Sequence, residues 1–424
     1  MELGNKTLFL VILNSIIGGG IFVNLADFNN NLGSWGFFSY LLGYALFFPI
    51  IFCIGSLARK QQVEGGLFLL AQKQLGVTFG FLTCWAYFLG RAVSVALLAQ
   101  FLALGLKSNF AIAAVSDLGI AATLIFGIAC LNIAGLSNTG VTQKVFTLLK
   151  LLPIFVLSGL AFLTTSFKTF ELTNDWPMLV ANFNSSFPSA VYALQGFTIV
   201  IHVGHLIKQP QRLLAVLLAA TATAGAMCAL FQAVVFGAVG KLVTSNLLVA
   251  FISKLGLGEG VLSFFIKNIV NIAIGSSCFM ILTGNCWNLF ALAKNDFLPG
   301  KQWLIAKVNA VPPLCLILHA FLSVGFLLIC RNIPALQAAS VFSTFCTYFL
   351  CSVAACRNFW HENKYYLSVG IAALCGCSYI LWSSAKLVQA AGFSYEFLFL
   401  YLLGLGFIFR KNWFNITAEG LSNS

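Results

Sequence analysis

The stretch Ile17-Gly18-Gly19-Gly20-Ile21-Phe22 decides the fold, because it places three consecutive glycines inside a long apolar segment, residues 7–25. Glycine is a poor helix former, since it has more backbone freedom to lose than any other residue. We therefore predict that a helix over this segment is interrupted at the glycines. Such an interruption frees backbone N–H and C=O groups, which can bind a small polar ligand.

The composition of the whole chain is that of a membrane protein. Of its 424 residues, 60% are hydrophobic and 8% are charged, and the mean hydropathy is +0.95. Soluble domains carry roughly a quarter charged residues, so this chain cannot cover a water-facing surface of its size. The same composition excludes a disordered chain, a coiled coil and a secreted disulfide scaffold.

The chain is predicted to cross the bilayer many times. One helical span needs about 20 apolar residues, and about twelve segments qualify, whereas barrel strands would be short and alternating. The segments are 7–25, 35–57, 77–106, 113–134, 145–165, 188–207, 213–240, 261–293, 312–330, 333–355, 365–386 and 393–410. No hydrophilic block is long enough for a soluble domain. The function must therefore lie among the helices, which favours a transporter or channel over a membrane enzyme or receptor.

Lys and Arg residues predict the orientation. With the N-terminus inside, 15 of the 23 fall on the cytoplasmic side, 7 fall on the other side, and Arg91 lies within a span. We expect both termini to be cytoplasmic, in a bacterial inner membrane. Cytoplasmic loops facing anionic lipid account for the net charge of +12. The sequence has no clustered basic patch of the kind that binds nucleic acid.

A second interruption is predicted in the sixth segment, where Gln195 and Gly196 fall near the middle. The first segment opens one group of five helices, and the sixth segment opens the next group of five. Breaks in corresponding helices are typical of transporters built from an inverted repeat, with the ligand near the midplane. The glycines have an alternative interpretation, in which they only allow close packing of helices.

Five segments, in order, resemble motifs of the amino acid–polyamine–organocation transporters. They are Ile17–Phe22; Glu64–Phe68 with Gly76, Gly80-Phe81 and Trp85–Tyr87; Val145–Leu151; Gly196-Phe197 with Lys208–Pro210 and Arg212; and Ala291–Pro299. Together they cover roughly residues 10–300. The family has a glutamate after the Gly-Phe of the sixth helix, and this chain has Thr198 instead. The resemblance therefore implies no proton relay at that position.

The resemblance implies an all-α membrane protein of about twelve helices with a LeuT-like core of five plus five helices. The first repeat is expected over 1–165, the inverted repeat over 188–356, and two accessory helices over 365–410. It also implies secondary transport of amino acids or related amines, with no enzymatic activity. The two interrupted helices would hold the substrate, through Ile17, Gly18, Gly19, Gly20 and Ile21 in one and Tyr192, Ala193, Gln195 and Gly196 in the other.

Arg91 is a candidate ligand for an anionic substrate group. Tyr87, Arg91 and Ser94 recur at helical spacing and form one polar stripe. A charge within a span is costly and marks a functional candidate, and no acidic partner for Arg91 is evident in the sequence. The resemblance implies that its position lines the substrate site, and that Ile281 replaces the aromatic of the arginine exchangers. The alternative is an arginine capped by carbonyls and water at a helix interface.

A second group of polar residues is assigned to coupling or gating. The resemblance implies that the Lys150 ammonium takes the place of a sodium ion, although a lysine near a helix start can also extend to the interface. Gln195, Thr198, His202 and His205 share one helix face, and the histidines would sense cytoplasmic pH or simply contact water. No third ligand for a metal is evident near them, and we predict no metal and no cofactor.

The sequence thus predicts a secondary transporter that works by alternating access, either an exchanger or a proton-linked carrier. Arg91 favours acidic or neutral amino acids as the substrate class. The alternatives are an antiporter of basic amino acids or amines, and, in a different class, a sensor that binds an amino acid without moving it. The expected partners are a small amino acid and the lipid bilayer, with the protein a monomer or a homodimer.

Overall fold

The computed structural model describes the chain apart from residues 1–3, 61–65, 111–113, 136–139, 165–175, 199–200, 202–206, 241–246, 258–259, 393–399 and 409–424. The described residues are helical with short connections, and none of them forms a β-strand. An isolated bridge joins Val308 and Val311 in one turn. The all-α class predicted from the composition is therefore confirmed for this part of the chain.

The helices are numbered in chain order. They are α1 Asn5–Ile16, α2 Gly19–Leu32, α3 Gly36–Lys60, α4 Gly66–Leu75, α5 Val77–Phe110, α6 Asp117–Ile133, α7 Gly140–Thr164, α8 Trp176–Leu194, α9 Leu213–Val239, α10 Leu247–Ile252, α11 Val261–Lys294, α12 Lys301–Leu304, α13 Pro313–Ile329, α14 Ile333–Glu362, α15 Lys364–Ala390 and α16, residues 400–408. A 3₁₀ turn, Gly33–Trp35, joins α2 to α3, another, Pro210–Arg212, precedes α9, and a π turn, Ser253–Leu257, follows α10.

Length and hydropathy identify the helices that can cross a membrane. Six described stretches are long and apolar enough: Gly19–Lys60, Val77–Phe110, Pro210–Val239, Ser263–Lys294, Ile333–Trp360 and Lys364–Ala390. Four shorter apolar helices accompany them, at Asn5–Ile16, Asp117–Ile133, Thr147–Leu163 and Pro313–Ile329. Large apolar side chains such as Phe155, Phe162 and Leu163 of α7 are exposed, as expected of a surface whose solvent is lipid.

Most helix boundaries agree with the apolar segments of the sequence, but the sixth does not. Segment 188–207 was predicted to begin at residue 188, whereas α8 begins at Trp176. The turn at 195–198 that follows α8 lies at the predicted interruption. The run Asn182 to Ser186 resembles a polar loop in sequence. In the fold, however, Asn182 Nδ2 donates to the Asn31 carbonyl at 2.8 Å, and Ser186 is buried. Partners from other helices keep these polar residues in the helix.

The central helix of the bundle is α5. It packs against α4, α6, α11, α13 and α14, and nearly all of its residues from Gly80 to Ala103 are buried. Its small residues allow this close approach, since a Cβ at Gly90 would lie 2.8 Å from Thr344 Oγ1 of α14. This arrangement holds the polar stripe of Tyr87, Arg91 and Ser94 inside the protein and away from lipid.

Candidate functional site

The helix of the first segment breaks at the glycines, as predicted. The N–H of Ile17 still donates to the Leu13 carbonyl at 2.8 Å, but Gly18 is extended, with φ −156° and ψ −151°, and α2 starts at Gly19. The Gly19 N–H donates to Ser277 Oγ of α11 at 3.2 Å. A Cβ on Gly19 would lie 2.4 Å from Leu98 Cδ2, so an added side chain would have to displace the end of Leu98.

The second interruption lies at the end of α8. The Gln195 N–H turns back to the Tyr192 carbonyl at 3.2 Å, and Gly196 has φ +126°, a conformation that L side chains rarely adopt. A Cβ on Gly196 would lie 2.3 Å from the Ser15 carbonyl oxygen, and Ser15 Oγ donates to the Gly196 carbonyl at 2.9 Å. The two helix breaks therefore touch each other.

A cavity of about 60 Å³ lies at this meeting point. That volume admits the centres of about four to six water molecules, which is the scale of the polar groups of a small amino acid. Its walls come from both breaks, the middle of α5, α7 and α11. The lining residues are Ser15, Ile16, Gly18, Gly19, Gly20, Tyr87, Arg91, Leu98, Lys150, Tyr192, Ala193, Gln195, Gly196, Ser277, Met280, Ile281, Gly284 and Asn285.

Arg91 supplies positive charge to the cavity wall. Its residue is 8% exposed, and its guanidinium carbon lies 5.8 Å from the centre of the Tyr87 ring. Within the described part of the chain, the ion pairs are Lys60–Glu362, Lys107–Asp117 and Lys301–Asp296. No described carboxylate therefore neutralises Arg91, and its five N–H donors can bind a carboxylate in a bidentate manner.

Lys150 of α7 is the second cationic residue at the cavity. It is buried, and its Nζ donates to the Asn14 carbonyl at 3.1 Å. Asn14 lies in the last turn of α1, where carbonyl groups lack partners within the helix and the helix dipole is negative. A positive charge at this position would balance the dipole at the broken end of α1. The expectation that the ammonium takes the place of a sodium ion stays a prediction.

The cavity brings together most of the residues predicted for the site. Gly18, Gly19, Gly20, Arg91, Lys150, Tyr192, Ala193, Gln195, Gly196 and Ile281 all line it. Ile17 and Ile21 are buried beside the cavity without lining it. Thr198 is also buried outside the lining, with its Oγ1 2.7 Å from Tyr87 Oη. His202 and His205 lie outside the described residues.

The far wall, on α11, was missed apart from Ile281. Ser277 and Asn285 lie four residues to either side of Ile281 and share its helix face, so the helical period could have found them. Behind Asn285 is the fully buried His319 of α13, whose Nε2 lies 3.3 Å from Asn285 Nδ2. A lone histidine within an apolar segment carries no such signal, because its partner lies on another helix.

Comparisons with known proteins identify the family of the chain. A sequence model of the amino acid permease family matches residues 3–409. Among curated proteins, the amino-acid permease RocE of Bacillus subtilis (strain 168) is 35% identical over 102 residues, which is 24% of this chain and 21% of RocE. The amino-acid permease RocC of the same organism is 31% identical over 94 residues, or 22% of this chain and 20% of RocC. These alignments span about a fifth of each relative, but the family match covers nearly the whole sequence, and the chain therefore belongs to the amino acid permease family.

Proposed function

We propose that the protein is a secondary transporter that binds an amino acid in the cavity between the two helix breaks and exposes it alternately to either side of the membrane. It would work as an exchanger or as a proton-linked carrier. The observation that carries the proposal is the meeting of two interrupted helices at a cavity that also holds Arg91. An interrupted helix offers unpaired backbone groups of both polarities without exposing them to lipid.

The backbone of the substrate would be held by the backbone of the protein. The first N–H groups of α2 have no partner four residues earlier, and they lie at the positive end of the helix dipole. Ser277 accepts the hydrogen bond from the Gly19 N–H. The N–H groups of Gly20, which lines the cavity, and of Ile21, the next residue behind it, are then left for a carboxylate. The last carbonyl groups of α8, at the opposite wall, would accept from the substrate ammonium.

The side chain of the substrate would meet Arg91. A buried cation without a carboxylate partner favours an acidic or neutral side chain and disfavours a second cation close by. A pocket for a guanidinium would offer carboxylates or an aromatic face, and this cavity has Ile281 on the far wall. We therefore propose acidic or neutral amino acids as substrates, with glutamate-like ligands favoured.

Lys150 and Thr198 are proposed to act in coupling and gating. An ammonium already bound at the Asn14 carbonyl leaves no negative potential there for a metal cation, so we propose that transport does not use sodium. The contact between Thr198 and Tyr87 joins the turn after α8 to α5 at the cavity edge. Its opening would release one wall of the cavity. We propose that His202 and His205, which lie outside the described residues, also act in gating.

The membrane arrangement is part of the same proposal. We propose the five-plus-five inverted repeat over 1–165 and 188–356 with accessory helices over 365–410. Both termini would be cytoplasmic, and the protein would reside in the cytoplasmic membrane as a monomer or a homodimer. The ligand would be a small amino acid, and nucleic acid would have no role.

Uptake into proteoliposomes tests the proposal. Vesicles preloaded with unlabelled amino acids would be offered a radiolabelled panel of acidic, neutral and basic amino acids. Wild-type protein, Arg91→Ala, and the exposed-site control Arg331→Ala would run in parallel. We expect saturable uptake of an acidic or neutral amino acid. It should fall at least tenfold in Arg91→Ala, because a charge-assisted hydrogen bond contributes about 1.5–3 kcal/mol, and stay unchanged in the control.

The other outcomes separate the alternatives. Uptake of basic amino acids that rises in Arg91→Ala would support the basic or amine antiporter and contradict the anion-binding role. Binding of an amino acid without any uptake would support the sensor.

A further inference from the structure

Asp27 differs from every other carboxylate that the structure describes. Asp117, Asp296 and Glu362 each form an ion pair with a lysine near a helix end. Asp27 instead lies inside α2, two turns beyond the glycine break, and no described lysine or arginine pairs with it. The predicted apolar segment 7–25 ends before Asp27, because the hydropathy of the sequence falls there. In the structure, α2 continues to Leu32. An ionisable residue within a membrane helix is costly to retain and marks a function.

Polar side chains from two helices surround this carboxylate. Asn31 Nδ2, one turn along α2, donates to Asp27 Oδ1 at 2.6 Å. Ser186 and Ser189 of α8 lie beside the carboxylate, and the Ser186 hydroxyl accepts from Asn31 Nδ2 at 3.4 Å. Both serines are buried, and Asp27 itself is partly buried. The carboxylate therefore connects the outer parts of the two interrupted helices, α2 and α8.

A third helix joins the same polar cluster. Gln337 Nε2 of α14 donates to Asn24 Oδ1 at 2.6 Å, and Ser189 Oγ donates to Gln337 Oε1 at 3.2 Å. Asn24 Nδ2 in turn donates to the Ser189 carbonyl at 2.5 Å. The elements that must separate to open this end of the cavity thus meet around one ionisable group.

The other titratable groups near Asp27 are few. Tyr40 of α3 interacts electrostatically with Asp27, and Cys228 of α9 lies beside Tyr40. Both are neutral acids that add no positive charge. The helix α8 contributes serines and no charged side chain. The helix α10, with the sequence Leu-Leu-Val-Ala-Phe-Ile, also contains no charged residue. Among the residues that the structure describes, no positively charged side chain therefore faces the Asp27 carboxylate.

We propose that Asp27 binds and releases the proton that couples transport to a pH gradient. An ionised carboxylate only accepts hydrogen bonds, while a protonated one also donates, so its protonation changes the set of bonds between α2 and α8. Closing this half of the bundle around a charge costs free energy, and a bound proton removes that cost. A proton is favoured over a metal cation because donors already occupy the carboxylate and the cavity does not extend to Asp27.

The inference rests on the proposed transport function, so the test measures the two separately. Counterflow at equal pH reports substrate exchange, and uptake with acid outside reports coupling. With one proton per substrate, a gradient of one pH unit supports about tenfold accumulation. We expect the wild type and the control Asp117→Asn to accumulate substrate when acid is outside. Asp27→Asn should lose that accumulation and keep counterflow.

Three results would overturn the proposal. One is accumulation by Asp27→Asn equal to that of the wild type, and another is wild-type uptake that does not change when acid is placed outside. If Asp27→Asn aggregates on gel filtration, Asp27→Ser is read in the same way. If both neutral variants aggregate, the pH dependence of uptake is compared between the wild type and Asp27→Glu. Because the longer side chain changes both the hydrogen bonds and the intrinsic pKa of the carboxyl group, a pH dependence that does not shift would be the third contradicting result. Absence of counterflow in the wild type for every amino acid would contradict the proposed function instead.

Discussion

Gly196 shows at the scale of one residue why glycine is required where the two breaks touch. Its φ of +126° and the 2.3 Å from its virtual Cβ to the Ser15 carbonyl oxygen leave no place for a side chain. We predict that Gly196→Ala lowers the free energy of unfolding by about 2–3 kcal/mol or more and abolishes uptake. Thermal unfolding in detergent, with uptake alongside, measures both.

Gly127 is the matched control for this substitution. It lies on the exposed face of α6, and no atom comes within 4 Å of a Cβ built there. Alanine should stabilise the helix by about 0.5–1 kcal/mol and leave uptake unchanged. Equal effects of the two substitutions would show that the Gly196 backbone is not special.

Single residues were predictable from sequence when their own chemistry was unusual. Three adjacent glycines and an arginine within an apolar segment are visible without a structure, and all of them line the cavity. Asp27 and His319 were not found. The first follows directly on an apolar run, and the partners of the second come from a different helix. The role of such a polar residue depends on partners that are distant in sequence, and a local sequence pattern does not predict those partners.

The broken end of α1 carries a prediction at the scale of the element. Lys150 Nζ binds the Asn14 carbonyl in the last turn of that helix, where a positive charge balances the helix dipole. Lys150→Met keeps most of the side-chain length and removes the charge. We expect transport to fall by at least tenfold, since hydrogen bonds to charged groups contribute about 1.5–3 kcal/mol.

Sodium provides the discriminating condition for Lys150. The wild type should transport equally well in sodium and in choline buffers, and the exposed-site variant Lys294→Met should behave like the wild type. Stimulation of the wild type by sodium, or full activity of Lys150→Met, would contradict the assigned role.

Helix boundaries followed hydropathy for most elements, including the buried α5, but not for α2 and α8. The helix α8 begins twelve residues before the predicted position because its polar run is covered by α2 and α15. Asn182 reaches the Asn31 carbonyl, and Ser383 Oγ donates to the Asn184 carbonyl at 3.0 Å. Hydropathy measures the transfer of side chains from water to lipid. It therefore does not predict the start of a helix whose polar residues are hydrogen-bonded to other helices.

At the scale of the whole molecule, the distribution of basic residues predicts the orientation in the membrane. With 15 Lys and Arg residues on one side and 7 on the other, the side that includes Lys6 should be cytoplasmic. We predict that green fluorescent protein fused after Ser424 fluoresces in cells and that alkaline phosphatase at the same position is inactive. The reverse pattern would invert the topology and place Asp27 on the cytoplasmic half.

The central claim is that one amino acid occupies the cavity where the two breaks meet. The most direct measurement is an electron cryo-microscopy structure in lipid nanodiscs, with a bound antibody fragment and the amino acid that uptake identifies. The account predicts ligand density whose backbone carboxylate contacts the N–H groups of Gly20 and Ile21 and whose side chain points toward Arg91. Ligand density at another place, or an Arg91 guanidinium turned away from a ligand in the cavity, would contradict it.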